Sequence, residues 1–184
     1  MISINNLTKK YNDKIIFDKF ECIIKTNEFI CIVGASGCGK STLLNIIGQI
    51  DTDYDGELII DGNYMNKLSN KEREKFIRNN INYLFQNFAL IDSMTVEENL
   101  MIGLEYTRKS KQEKKDDINK ALAKVGLSNY ENKKVFTLSG GEQQRVALAR
   151  IMVKPGNIIL ADEPTGALFK SKNNNYSFKP LFSL

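Results

Sequence analysis

The chain has 184 residues, 42% of them apolar, enough for one globular domain with a sizeable core and too many for a disordered segment. Its net charge of +4 comes from Lys-rich segments interleaved with acids, and no basic stripe carries the aromatics of a nucleic-acid platform, so nucleic acid is excluded as an expected partner. The longest apolar runs, residues 29–33 and 158–161, fall far short of a bilayer span, which speaks against direct membrane insertion.

The N-terminus lacks the charged-then-apolar pattern of an export signal, and Cys22, Cys31 and Cys38 form neither a metal spacing nor an even disulfide set. A cytoplasmic location is expected, including the inner face of a membrane. Short apolar runs bounded by polar residues or glycine predict strands at 2–7, 15–20, 29–33 and 58–60. From 97 to 127 the pattern is helical, with Leu100, Leu104, Ile118, Leu122 and Val125 as apolar positions around a charged middle at 109–117, read as a solvated helix or loop. Residues 158–161 return to a buried strand between the turn residues at 155–157 and 162–164. Strand, loop and helix first, helices in the middle and a buried strand last predict an α/β core with an inserted helical subdomain.

Gly34-Ala35-Ser36-Gly37-Cys38-Gly39-Lys40-Ser41 lies between a predicted strand and a helix that starts at Thr42. This is the phosphate-loop pattern. Gly34, Gly37 and Gly39 let backbone N–H groups close on phosphate oxygens, Lys40 supplies a compact cation, and the Ser41 hydroxyl can ligate Mg²⁺. Cys38, near a helix N-terminus, is either an acidified thiol or simply a small residue tolerated in the loop. The strand 158–161 ends in Asp162-Glu163, where Asp162 suits a Mg²⁺ shell and Glu163 suits orienting and polarising a water. Gln86 closes another predicted strand, 81–86, where an amide can reach metal and water. Leu138-Ser139-Gly140-Gly141-Glu142 reads as a second phosphate cradle at the start of a helix.

In this order the motifs resemble the ATP-binding subunit of ABC transporters, a P-loop NTPase with a RecA-like core, an N-terminal antiparallel β subdomain and an inserted α-helical subdomain. The resemblance covers 1–168: Tyr11 ahead of the Walker A loop 34–42, the Q-loop Gln86, the signature 138–142, Walker B ending at Asp162-Glu163, then 164–168. It implies core and β subdomain at about 1–87 and 146–168, a helical subdomain at about 88–145, and a non-family tail at 169–184. It also implies ATP and Mg²⁺ as cofactors, with Tyr11 on the adenine, residues 34–42 on the phosphates, Ser41, Gln86 and Asp162 at the metal, and Glu163 with Gln86 in catalysis. Ser139, Gly140 and Gly141 would touch the γ-phosphate held by the Walker A loop of a second ATP-binding subunit in a head-to-tail dimer.

A membrane-spanning permease is the other implied partner, placing the chain on the inner face of the cell membrane. Residues 87–98 would receive the permease, with Phe88, Leu90 and Met94 as candidate contacts or as packing inside the helical subdomain. The runs 43–48, 55–57, 61–62 and 162–166 look like the branch of macrolide exporters and lipoprotein-releasing systems, and 83–90 is similar to bacteriocin or antimicrobial-peptide exporters. The chain also departs from the family. Phe169 stands where the family's D-loop has Asp, no histidine occurs, and 170–184 resembles nothing in the family, as expected of a truncated or frameshifted chain missing the C-terminal strands. That leads us to expect a gap in the parallel sheet and impaired hydrolysis. Two readings stand beside the exporter subunit: a hydrolysis-deficient fragment that at most binds nucleotide, and a soluble ABC ATPase of translation or DNA repair.

Overall fold

The computed structural model describes residues 1–162 and the backbone of 179–180. Glu163, residues 164–168 and Phe169 lie outside them. The described residues fall into two compact units, 1–77 with 179–180 and 78–162.

The first unit is built on a meander. Strand β1 (Ile2–Tyr11) pairs antiparallel with β2 (Lys14–Ile24) on one side and with β4 (Asp55–Ile60) on the other, and β4 turns back through β5 (Asn63–Tyr64). Ile2 and Ile4 alternate inward and sit opposite Ile60 and Leu58, all four buried. The register between β1 and β4 shifts between Asn5 and Thr8, and Gly56 fills the kink at φ 100°. A Cβ there would meet the Asn6 carbonyl oxygen at 2.4 Å, so only glycine fits.

Strand β3 (Ile30–Cys31) is shorter than the predicted 29–33 and pairs in parallel with β8 (Lys179–Pro180). The tail therefore supplies two residues of backbone pairing to the strand ahead of the phosphate loop, where the sequence led us to expect no strand. Helix α1 (Lys40–Ile47) follows the loop and buries Leu43, Ile46 and Ile47, the i, i+3, i+4 stripe of an amphipathic helix. Helix α2 (Asn70–Asn80) has no buried residue, which explains why apolar periodicity gave no hint of it.

In the second unit, β6 (Ile81–Leu84) and β7 (Ile158–Ala161) form a parallel pair. Between them in sequence come α3 (Val96–Leu104), α4 (Lys111–Lys124) and α5 (Gly140–Val153). The charged run at 109–117 is thus mostly helix, the first turns of α4. Leu100, Leu104, Ile118, Leu122, Leu138, Val146, Ala149 and Val153 form one buried cluster, each large side chain contributing about 1.5–3 kcal/mol by its removal from water. No described helix is long and apolar enough to cross a membrane.

One device starts the helices repeatedly. Ser69 with Glu72, Thr95 with Glu98, Ser110 with Glu113 and Ser139 with Glu142 each exchange hydrogen bonds across the first turn. At α5 the bonds from the Ser139 hydroxyl and backbone N–H, and from the Tyr130 phenol, hold the Glu142 carboxyl down at about 2.

Gly56→Ala should cost about 2–5 kcal/mol, the sum of left-handed strain and overpacking, read as a lower urea midpoint with the slope unchanged. Because the folded Glu142 value lies below the ordinary 4.5, its contribution is complete above 4.5 and is lost as pH falls toward about 2. The thermal midpoint of Glu142→Gln should accordingly fall less steeply between pH 5 and pH 3 than that of the unaltered chain; parallel curves would show that the cap adds nothing.

Candidate nucleotide site

The loop 34–39 is exposed along most of its length and ends in a left-handed residue, Gly39 at φ 102°, which directs the chain into α1. A side chain at Gly39 would collide with Ile16 Cγ2 at 2.7 Å and Phe17 Cζ at 3.0 Å, so the β2 strand sets how tightly the loop folds. Lys40 Nζ curls back over the loop and donates to the carbonyls of Gly34 at 2.9 Å and Ala35 at 2.8 Å, with Cys38 Sγ 3.8 Å away. The ammonium is therefore held on the carbonyls of its own loop. Ser41 is exposed and Thr42 half-buried on the first turn of α1.

Helix α1 begins differently from α3, α4 and α5. It has no side-chain cap and no acid in its first turn, whereas each of those three carries a Ser/Thr and Glu pair. An uncapped N-terminus without a carboxylate, next to a held ammonium, is complementary to phosphate oxygens. Gly34, Ala35, Ser36, Gly37, Cys38 and Gly39 form the loop ahead of that helix start, and Lys40 is its cation.

Tyr11, at the end of β1, exposes 45% of its surface and is tethered through its phenol, which donates to Asp51 Oδ2 at 2.8 Å. That bond to a carboxylate, helped by burial and opposed by a bond from Thr42, raises the phenol above its usual range. Lys9 lies beneath, 3% exposed, its ammonium 4.7 Å from the Tyr11 ring centre and 2.9 Å from Asp51 Oδ1, with a further bond to the Asp53 carbonyl. Burial works against the Lys9 charge, but the bonds to Asp51 and Asp53 outweigh it and keep the ammonium protonated. Burial likewise disfavours the Asp51 carboxylate, and bonds from Lys9, Tyr11 and the Asp53 N–H bring it below its ordinary value. Tyr11 is thus an exposed ring held on a buried ionic footing. Asp51 and Lys9 escaped sequence reading because nothing near them in the chain marks them.

In the second unit the ends of β6 and β7 come together. Leu84 is paired with Ala161, and the Asp162 N–H donates to the Leu84 carbonyl at 3.1 Å. Gln86 follows two residues beyond β6 and is exposed, while Asp162 is half-buried. Burial, and then the Asp162 charge, push the Tyr83 phenol up to about 12, so Tyr83 stays neutral beside that carboxylate. Within this unit the amide oxygen of Gln86 and the carboxylate of Asp162 are hard oxygen donors of the kind Mg²⁺ takes. No group of three or more His, Cys, Asp or Glu able to hold a metal occurs among the described residues.

At the signature segment the Ser139 hydroxyl donates to Glu142 Oε2 at 2.7 Å and the Ser139 N–H donates to the same oxygen at 2.8 Å. Gly140 and Gly141 face open space, with nothing within 4 Å of where a Cβ would stand. Tyr130, which donates to Glu142 Oε1 at 2.8 Å, is a residue that sequence reading missed. Of the candidate permease contacts, Leu90 packs on the helical core, Phe88 and Met94 are half-buried, and Ile91, not singled out before, is 41% exposed.

Comparison with known proteins agrees with the motifs. The ABC transporter family model matches residues 17–166. The chain is 38% identical, over 91% of its length, to the spermidine/putrescine import ATP-binding protein PotA of Acetivibrio thermocellus, and covers 46% of that protein. It is 38% identical, again over 91% of its length, to the macrolide export ATP-binding/permease protein MacB of Campylobacter jejuni, and covers 26% of it. The chain therefore spans less than half the length of either relative. Among solved structures, the dimeric structure of MJ0796, a bacterial ABC transporter cassette, superposes with a TM-score of 0.83 at 40% identity, covering 91% of this chain and 76% of that one. A second structure of MJ0796, in a post-hydrolysis state bound to ADP and Pi, gives 0.83 at 39% identity, covering 92% and 77%. With motif order, fold and sequence in agreement over most of its length, the chain belongs to the ABC transporter family.

Proposed function

We propose that this chain is the ATP-binding and hydrolysing subunit that drives a membrane-spanning permease, working with a second ATP-binding subunit in a head-to-tail dimer at the inner face of the membrane. The observation that carries this reading is the phosphate loop: an uncapped, acid-free helix start with the Lys40 ammonium held on the carbonyls of Gly34 and Ala35.

Each residue then has a task. Tyr11 offers its ring to the adenine, steadied by Asp51 and Lys9. The backbone of 34–42 and Lys40 hold the phosphates. Ser41, Gln86 and Asp162 hold Mg²⁺, which when bound offsets phosphate charge. Glu163 orients and polarises the attacking water, supported by the Gln86 amide. Ser139, Gly140 and Gly141 face the partner's nucleotide. For Ser139 to serve a phosphate, its hydroxyl exchanges the Glu142 carboxylate for a phosphate oxygen, a swap between two anionic acceptors. Residues 88–145 form the helical subdomain and 87–98 the permease-receiving segment.

For direction we propose export, on the resemblance of 83–90 to peptide exporters and on the similarity to MacB. The equal similarity to PotA, an import protein by its name, supports import as the second reading. Co-purifying the permease and assaying ATP-dependent uptake decides between them: accumulation in inverted vesicles means export, and in right-side-out vesicles import.

Mg-ATP at a hundred times its dissociation constant should stabilise the chain by about 2.7 kcal/mol, a rise of roughly 5–10 °C in midpoint. Lys40→Ala should abolish most of that rise, and an equal rise in the variant would sink the phosphate-loop assignment. Stacking of a base on an aromatic ring is worth about 1–3 kcal/mol, so Tyr11→Ala should weaken ATP binding about tenfold or more by calorimetry. Tyr11→Phe keeps the ring, loses the Asp51 tether and should cost about threefold; equal losses in the two variants would mean that the ring does not stack.

A further inference from the structure

Phe88 and Ala89 are held in a backbone conformation that non-glycine residues rarely adopt. Phe88 and Ala89 both have positive φ, 61° and 46°, a region that costs a non-glycine residue and is rarely entered twice in succession. The Phe88 N–H donates to the Phe85 carbonyl at 3.0 Å and the Ala89 N–H to the Asn87 carbonyl at 2.7 Å, so the turn closes on itself and leaves the carbonyls of Phe88 and Ala89 to a donor from elsewhere.

Arg150 of α5 meets those carbonyls. Its Nη1 donates to Ala89 O at 2.6 Å and its Nη2 to Phe88 O at 2.7 Å, across more than sixty residues of sequence. Two neighbouring carbonyls on one planar fork is a geometry that guanidinium matches and an ammonium does not. Burial draws the Arg150 pKa down, and the two carbonyls replace part of the lost hydration. On the far side, fully buried Asn99 accepts from the Ile91 N–H at 2.8 Å and donates to the carbonyls of Ile91 at 3.1 Å and Thr95 at 3.0 Å. The segment is therefore pinned at both ends, to α3 by Asn99 and to α5 by Arg150.

Arg150 stands on the same uninterrupted helix as the signature segment, eleven residues from Ser139, about 16 Å along the axis. We infer that Arg150 is a positioning residue that fixes residues 88–91 to α5, so that the permease-receiving segment moves with the helix whose start faces nucleotide. The nucleotide and permease roles in this inference rest on the proposed function; the clamp itself does not.

Amide hydrogen exchange on the whole chain tests it, because it reads local opening residue by residue. Arg150→Ala should speed exchange at Phe88, Ala89 and Ile91 at least tenfold, with α3 and α4 unchanged, and Arg150→Lys should behave like Arg150→Ala. Adding Ala89→Gly to Arg150→Ala should slow exchange again, since glycine takes positive φ without strain. Unchanged rates, an equal rise throughout the three helices, or no recovery with glycine would overturn the clamp. With Mg-ATP, exchange at the three amides should change at least threefold in the unaltered chain but not in Arg150→Ala, although Mg-ATP raises the midpoint of both. An equal response in both proteins would overturn the link to nucleotide. If Mg-ATP moves no midpoint at all, the nucleotide reading fails, while the exchange rates without nucleotide still decide the clamp.

Discussion

The packing of α5 into the helical core governs the second unit. Val146, Ala149 and Val153 lie in one cluster with Leu100, Leu104, Ile118 and Leu122, and that burial fixes both the axis and the rotation of the helix. The direction of the polar groups on α5 follows from the rotation. Ser139 and its cap stand at the start, and Arg150 is turned toward the carbonyls of Phe88 and Ala89. The phase of the buried stripe thus decides which polar groups meet, so a repacked core would move the clamp as well as the cap.

The first unit holds two ammonium groups in different ways. Lys9 is buried, and it is tolerated because Asp51 and Asp53 pair with it. The same Asp51 receives the Tyr11 phenol, so the aromatic ring rests on an ion pair rather than on apolar packing. Lys40 repeats the device with backbone carbonyls, which orient an ammonium without neutralising it. An ammonium paired with a carboxylate would have no attraction left for phosphate; one held by carbonyl dipoles keeps it.

The parallel strands show where sequence reading and structure part. Residues 158–161 and the strand before Gln86 read as strands from their apolar runs, and both are strands. Pairing of β3 with Lys179–Pro180 was not legible, because two residues of backbone pairing need no side-chain pattern. Helix α2 was missed for a related reason: it buries no side chain and so leaves no apolar period. Glu142, read only as a motif letter at the signature, folds back onto Ser139.

The chemistry of the phosphate loop was set by the sequence alone, since its glycines, Lys40 and Ser41 are contiguous and act through local backbone geometry. The same holds for the capping pairs, each spanning three residues. Tertiary structure alone decided the Tyr11 footing, the meeting of Asp162 with the end of β6, and the Arg150 clamp. Each joins groups forty or more residues apart, and their acceptors are in part backbone carbonyls, identical in every residue. A carbonyl leaves no trace in a sequence, so only the packing that brings a donor to it can reveal the pair.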